Sequence, residues 1–236
     1  MIEKIMKAVK SSNKRRGRNI TIGAVVGFLL SCTAVMGAGD YLWIGKNDGA
    51  IEFINQETTK VDGNWDTANP YSNNNWDTAT KTYTNNTLLS SNAANGKDGY
   101  GNISYGLRLS GELTDVNFVN DGSVIGIIVP SGSGYGYGIY NEASKMGNIE
   151  NAGVINGTSS SGAGFGIYNL GTMGNIVNTG IINGSFDSSV GYGSGNGINN
   201  YYPGTIKNIT NTGVISASAN GSGPSNGYGI NNSASA

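Results

Sequence analysis

The chain contains no histidine, and its 236 residues include one cysteine and four prolines. Without histidine, neither a Ser-His-Asp nor a Cys-His nucleophile system can form, and a His-ligated metal site is excluded. The lone cysteine, Cys32, falls inside an apolar N-terminal run, so the rest of the chain has no disulfide framework. Charge is also scarce: Asp, Glu, Lys and Arg make up 12% of the residues, about half the usual share. That charge divides unevenly. Residues 1–38 hold seven of the 14 basic residues (Lys4, Lys7, Lys10, Lys14, Arg15, Arg16, Arg18) and a single acid, Glu3, which leaves seven basic against 14 acidic residues beyond. An acidic, weakly charged body lacks the clustered Lys and Arg that hold nucleic acid, so no nucleic-acid partner is expected.

What is present is unusual in its turn. Glycine accounts for 39 residues, more than twice its ordinary share of about 7%. Hydrophobic residues, at 37%, are too few for one thick globular core. Yet 13 tyrosines and many Ile and Val do not suit a disordered chain. A thin core repeated along an axis satisfies both observations.

The N-terminus reads as an address. Met1 to Asn19 is basic, Ile20 to Met36 is uncharged and mostly apolar, and the small residues Gly37, Ala38 and Gly39 follow. This is the three-part form of a secretory signal, with cleavage expected between Ala38 and Gly39. A permanent anchor is the competing reading, but the run is shorter than the ~20 residues that span a bilayer. Leu29-Leu30-Ser31-Cys32 also loosely matches a lipobox, which would place a lipid on Cys32. Against that, Thr33 to Gly39 stays small and apolar where a polar tether is expected.

Residues 39–100 are expected to form an N-terminal cap and linker. Asp40 to Ile54 holds two strand-like runs around the turn signal Asn47-Asp48-Gly49. Asn64-Trp65-Asp66-Thr67-Ala68 recurs as Asn75-Trp76-Asp77-Thr78-Ala79. These tryptophans suit a sugar-stacking face, or, as the preferred reading, a cover over the open end of a strand stack. The Asn- and Ser-rich stretch from Thr80 to Gly101 has little periodicity and reads as loop.

From residue 101 to 236 the chain repeats itself. One anchor is Gly138-Ile139-Tyr140-Asn141, followed by Gly166-Ile167-Tyr168-Asn169, Gly197-Ile198-Asn199-Asn200 and Gly229-Ile230-Asn231-Asn232. The other begins at Asn148-Ile149-Glu150-Asn151-Ala152-Gly153-Val154-Ile155. It returns as Asn175-Ile176-Val177-Asn178-Thr179-Gly180-Ile181-Ile182 and as Asn208-Ile209-Thr210-Asn211-Thr212-Gly213-Val214-Ile215. A looser copy runs from Tyr105 to Val124. Such self-similarity marks a repeat architecture, and units full of Gly, Asn and β-branched residues exclude helices. Stacked short strands then predict an all-β, right-handed parallel β-helix of about 4–5 coils, preceded by a helical signal peptide.

In that fold Ile139, Ile167, Ile198 and Ile230 form one inward row. Ile149, Ile176 and Ile209 form a second, and Ile155, Ile182 and Ile215 a third. Asn151, Asn178 and Asn211 occupy one corner, where Asn tolerates left-handed backbone and its amides bond along a ladder. Gly153, Gly180 and Gly213 supply the bend. Length varies in Thr158–Gly164, Ser185–Gly195 and Ala217–Asn226, placing loops on one side.

Motifs that suggest other chemistry fail on context. Gly191-Tyr192-Gly193-Ser194-Gly195-Asn196-Gly197 precedes no helix, as a phosphate cradle requires. Asp187 stands alone where a calcium-binding β-roll needs a recurring Asp. Glu142 and Glu150 share a unit and are the best pair for glycan cleavage, but neither recurs in a neighbouring coil. Asn-x-Ser/Thr triplets such as Asn156-Gly157-Thr158 follow from composition. No catalytic residue, cofactor or metal is expected.

The basic n-region and long apolar run, followed by N-I-x-N-x-G-x-I repeats, resemble the autotransporter (type V secretion) proteins of Gram-negative bacteria. The resemblance is most specific over Met1–Gly39 and residues 136–236. It implies a β-helical passenger that crosses the inner membrane through the export machinery, passes an outer-membrane β-barrel translocator, and acts at the cell surface or once secreted, commonly as an adhesin. This sequence has no series of alternating ~10-residue strands with aromatic girdles and stops inside a repeat, so a truncated passenger is expected. The alternatives are a secreted or lipid-anchored matrix protein and, less favoured, a polysaccharide-active β-helix enzyme.

Overall fold

The repeat strands are each too short to hold alone, and the architecture follows from how they stack. A computed structural model describes residues 41–55, 59–64, 73–91, 102–128, 134–188 and 191–233. The signal-peptide residues, with Ala38, Gly39 and Cys32, lie outside the described residues, as does Trp65.

The chain opens with β1 (Leu42–Asn47), β2 (Ala50–Ile54), β3 (Thr59–Val61) and β4 (Trp76–Asp77), the last preceded by a 3-10 turn at Asn73–Asn75. Next come β5 (Thr82–Asn85) and β6 (Leu88–Ser91). The first complete turn holds β7 (Asn102–Leu109), β8 (Glu112–Leu113), β9 (Asn117–Asn120) and β10 (Ser123–Ile128). The second holds β11 (Gly134–Asn141), β12 (Lys145–Met146), β13 (Ile149–Asn151) and β14 (Val154–Ser159). In the third, β15 (Ala163–Asn169), β16 (Thr172–Asn178) and β17 (Ile181–Asp187) suffice, because the two short middle strands have merged. The fourth repeats that form with β18 (Gly193–Tyr201), β19 (Thr205–Asn211) and β20 (Val214–Asn220), and β21 (Ser225–Ser233) begins another.

Strands from successive turns pair in parallel, giving a β-solenoid of about four turns. The first sheet runs β21-β18-β15-β11-β7-β1-β2-β3, the second β19-β16-β13-β9-β5-β4, and the third β20-β17-β14-β10-β6. The three isoleucine rows are in register. Leu42, Leu107, Ile139, Ile167, Ile198 and Ile230 align in the first sheet. Tyr83, Phe118, Ile149, Ile176 and Ile209 align in the second, and Leu89, Val124, Ile155, Ile182 and Ile215 in the third. A fourth inward row, which no recurring residue type marks in the sequence, pairs Leu113 with Met146 and Met173 with Ile206. All of these residues except Ile230, which is 49% exposed, pack into one continuous core.

Thr80 to Gly101 is not loop throughout. It contains β5 and β6, the earliest copy of the repeat, with Tyr83 opposite Phe118, Asn85 opposite Asn120, and Leu89 in the Val124 row. The copy is hard to see because Asn85-Asn86-Thr87 replaces the later Asn-x-Gly.

The corner chemistry also differs from expectation. Asn151, Asn178 and Asn211 are strand residues, and the left-handed non-glycine residues among those described are Asp48, Lys81 and Asp115. The expected amide ladder is present all the same, built from strand positions. Asn85 Nδ2 donates to Asn120 Oδ1 at 2.8 Å, and Asn120 to Asn151, Asn151 to Asn178, and Asn178 to Asn211 each at 2.7 Å. A second ladder joins Asn141, Asn169, Asn200 and Asn232 at 2.6, 2.7 and 2.8 Å. Gly153, Gly180 and Gly213 lie at the bends between strands, as expected, and do so without a positive φ. Glycine is required there because a Cβ on Gly180 would lie 2.1 Å from the Gly153 carbonyl oxygen, and one on Gly213 2.2 Å from that of Gly180.

The N-terminal end of the stack is covered. β1 and β2 pair antiparallel through Asp48 and Gly49, whose φ values of 47° and 86° suit a two-residue hairpin turn. Trp76, 4% exposed, packs on Phe53 at 5.0 Å between ring centroids and donates its indole N–H to Asp62 Oδ1 at 2.6 Å. Phe53, Tyr83 and Phe118 continue the aromatic packing into the first turn. Trp76 is thus a cover, not a sugar platform. Among the described residues no helix is long and apolar enough to cross a membrane.

Candidate functional site

The first sheet carries a second apolar cluster, separate from the core, on its outer side. It is built from Tyr41, Tyr105, Tyr137, Ala163 and Phe165, with Trp43, Ile103, Tyr140 and Tyr168 packed against it. Ile139 and Ile167 enter the core, so alternation turns the next residues, Tyr140 and Tyr168, outward, and Tyr137 and Phe165 join them there through ring contacts at 5.0 and 4.9 Å.

Parallel in-register stacking turns these residues into rows. One row reads Tyr105, Tyr137, Phe165, Asn196 and Tyr228; the next reads Arg108, Tyr140, Tyr168, Asn199 and Asn231. Tyr137 stacks on Phe165 with centroids 5.4 Å apart and rings 13° from parallel, and Tyr140 on Tyr168 at 5.9 Å and 5°. Tyr168 stacks in turn on Tyr201 at 6.1 Å. Burial, and after it the neighbouring phenols of Tyr140, Tyr201 and Tyr135, pushes the Tyr168 hydroxyl up to about 12. The Tyr137 hydroxyl is raised further, by burial first and then by Tyr168. Both stay protonated at any physiological pH and serve as neutral polar groups.

At the N-terminal end of the rows a close charge pair is locked away. Arg108, 8% exposed, lies over the Trp43 ring at 4.2 Å and is bound to Glu142, its Nε donating to Oε1 at 2.8 Å. Trp43 donates its indole N–H to Ser110 Oγ at 2.6 Å. Glu142 is therefore engaged, whereas Glu150 stands exposed within β13, in register with Val119 and Val177 of the second sheet. The structure places these two carboxylates in different settings. Asp187 is exposed at the end of β17.

No group of three or more metal-ligating side chains occurs among the described residues. A cleft of about 320 Å³ lies beside the cap, where Lys46, Ala50 and Ile51 face Lys81, Glu112 and Thr114. Its charges are mixed. The aromatic face is the more distinctive feature. It offers ring edges, phenol hydroxyls and amides, a set suited to binding.

The variable-length segments all fall at one corner, between the third-sheet strand and the next first-sheet strand, at β14–β15, β17–β18 and β20–β21. They flank the aromatic face. No family model, curated protein or solved structure matches this chain.

Proposed function

We propose that this chain is the passenger portion of an autotransporter-like surface protein, exported across the inner membrane and displayed through a β-barrel translocator to act in adhesion. The observation that carries the reading is the outer face of the first sheet, a continuous aromatic and amide surface held on a stiff stack of turns. Rigid backing suits an adhesin, because a preorganised face loses little ordering entropy when it binds. The loops at one corner add a surface whose length varies from turn to turn without disturbing the rows. We take the coil as right-handed, the sense that parallel strand connections adopt in about 98% of cases.

Expression of the full chain in a Gram-negative host, with mass spectrometry of the exported product, tests the address. A new N-terminus at Gly39 is expected, and a lipidated Cys32 or an uncleaved product would sink this part of the reading. Fusion ahead of an established outer-membrane barrel tests the role. Displaying cells are expected to attach to abiotic or host surfaces several-fold better than cells bearing the barrel alone, and equal attachment would refute adhesion.

A further inference from the structure

Two side chains on the aromatic face are left unanswered by the rest of the molecule. Asn196 and Asn199 are 3% and 4% exposed, and the Oδ1 of each has no hydrogen-bond donor. Their neighbour on the same strand behaves differently: Asn200 faces inward, accepts from Asn169 at 2.7 Å and donates to Asn232 at 2.8 Å. Buried amide oxygens are ordinarily matched, so two unmatched ones on one strand point to a donor that comes from elsewhere.

Their surroundings specify that donor. Register sets Asn196 beside Phe165 and Tyr228, and Asn199 beside Tyr168. Tyr201 and Tyr228 stand at the rim, 49% and 48% exposed. The four strands β11, β15, β18 and β21 carry no charged residue at all. An ionic ligand laid there loses hydration and meets no counter-charge. A neutral ligand rich in hydroxyl donors, with apolar C–H faces to set against aromatic rings, matches both halves of the surface. The rows also advance by one strand spacing per turn, about 4.8 Å, so an extended chain laid along them meets rings and amides in succession.

We propose that the outer face of the first sheet, centred on Asn196 and Asn199 and rimmed by Tyr168, Tyr201 and Tyr228, binds an uncharged glycan chain. The proposal rests on the adhesion reading and names the ligand class of that face. Sugar hydroxyls donate to the two buried Asn oxygens once the exposed Tyr201 and Tyr228 side chains turn aside to admit them, and the sugar rings pack against the tyrosines.

The test uses the purified full chain with cellohexaose, maltohexaose, chitohexaose and dextran as neutral probes and heparin as the anionic one, followed by calorimetry. At least one neutral probe is expected to bind while heparin does not. Asn196→Ala and Asn199→Ala are each expected to weaken that binding about tenfold, and Tyr201→Ala several-fold, with circular dichroism unchanged. Asn208→Ala, on an exposed row of another sheet, is expected to bind like the parent. If the Asn variants do not fold, the exposed Tyr201→Ala and Tyr228→Ala carry the test alone. Failure of every neutral probe, stronger binding of heparin, or undiminished binding in the folded variants overturns the proposal. So does self-association that the same variants abolish without any glycan binding, which assigns the face to a second copy. Cells that still attach when displaying Asn199→Ala refute this site and leave adhesion standing; glycan binding by a chain that promotes no attachment does the reverse.

Discussion

A glycine between stacked turns and a glycine on an outer turn have the same sequence signature but different surroundings. A Cβ on Gly180 would sit 2.1 Å from the Gly153 carbonyl oxygen, backbone that cannot step aside. On Gly229 the nearest atom would be the Ile215 carbonyl oxygen at 3.5 Å, an ordinary contact. Gly180→Ala is therefore expected to destabilise by about 2–3 kcal/mol and Gly229→Ala by less than about 0.5 kcal/mol, read from urea unfolding midpoints. Equal effects would show that backbone conformation, not space, selects glycine here. The ladder asparagines make a sharper case. Asn178 accepts from Asn151 and donates to Asn211, Gly180 and Val214. Asn178→Ala takes its closest acceptor from the buried Asn151 amide, which keeps only the longer bonds to Gly153 and Ile181, and removes the donor to the Val214 carbonyl, at an expected cost of about 1–3 kcal/mol. Asn178→Leu, which adds apolar volume but restores no partner, is expected to rescue none of it.

At the scale of strands and rows, the sequence was legible where a residue type recurs and illegible where a position is kept but its residue changes. Ile139, Ile167 and Ile198 could be aligned by eye, since one aliphatic row tolerates little else. Tyr83 and Leu89 fill equivalent positions with different shapes because they adjoin the aromatic cap, so that turn read as loop. The outer face was invisible for a related reason. Tyr137, Phe165 and Asn196 share a register position but no chemistry, and only the pairing brings them together. The buried phenols of this face make it sensitive to alkali. Tyr168 ionises at about 12 in the folded chain against an ordinary 10.0, and Tyr137 is shifted the same way. Below pH 10 both states hold the proton and the stability is complete. Above it the unfolded chain releases protons first, so stability falls as pH rises toward and through about 12. Tyrosinate absorbance and loss of strand dichroism are expected to rise together over that window. Ionisation of all tyrosines near 10 with the fold intact would contradict the burial of these two.

Across the whole stack, stability is a sum of turns and the interfaces between them, and the two ends differ. At the N-terminal end Trp76, Phe53 and Tyr83 close the core, and β2 and β3 extend the first sheet beyond β1. At the other end β21, β19 and β20 are the last members of their sheets. Burial follows the same gradient: Ile155 and Ile182 are fully buried, whereas Ile215 in the same row is only partly so. Ile182→Ala is accordingly expected to cost about 2–5 kcal/mol and Ile215→Ala clearly less. Hydrogen exchange resolves the gradient directly. Amides of β11 and β15 have a neighbouring strand on both sides and are expected to exchange only on global opening, whereas those of β21 open by fraying of one edge. Protection should fall in the order β15, β18, β21. A flat profile over those three strands would mean that the turns melt as a single unit, and that interfaces, not the covered end, hold the stack.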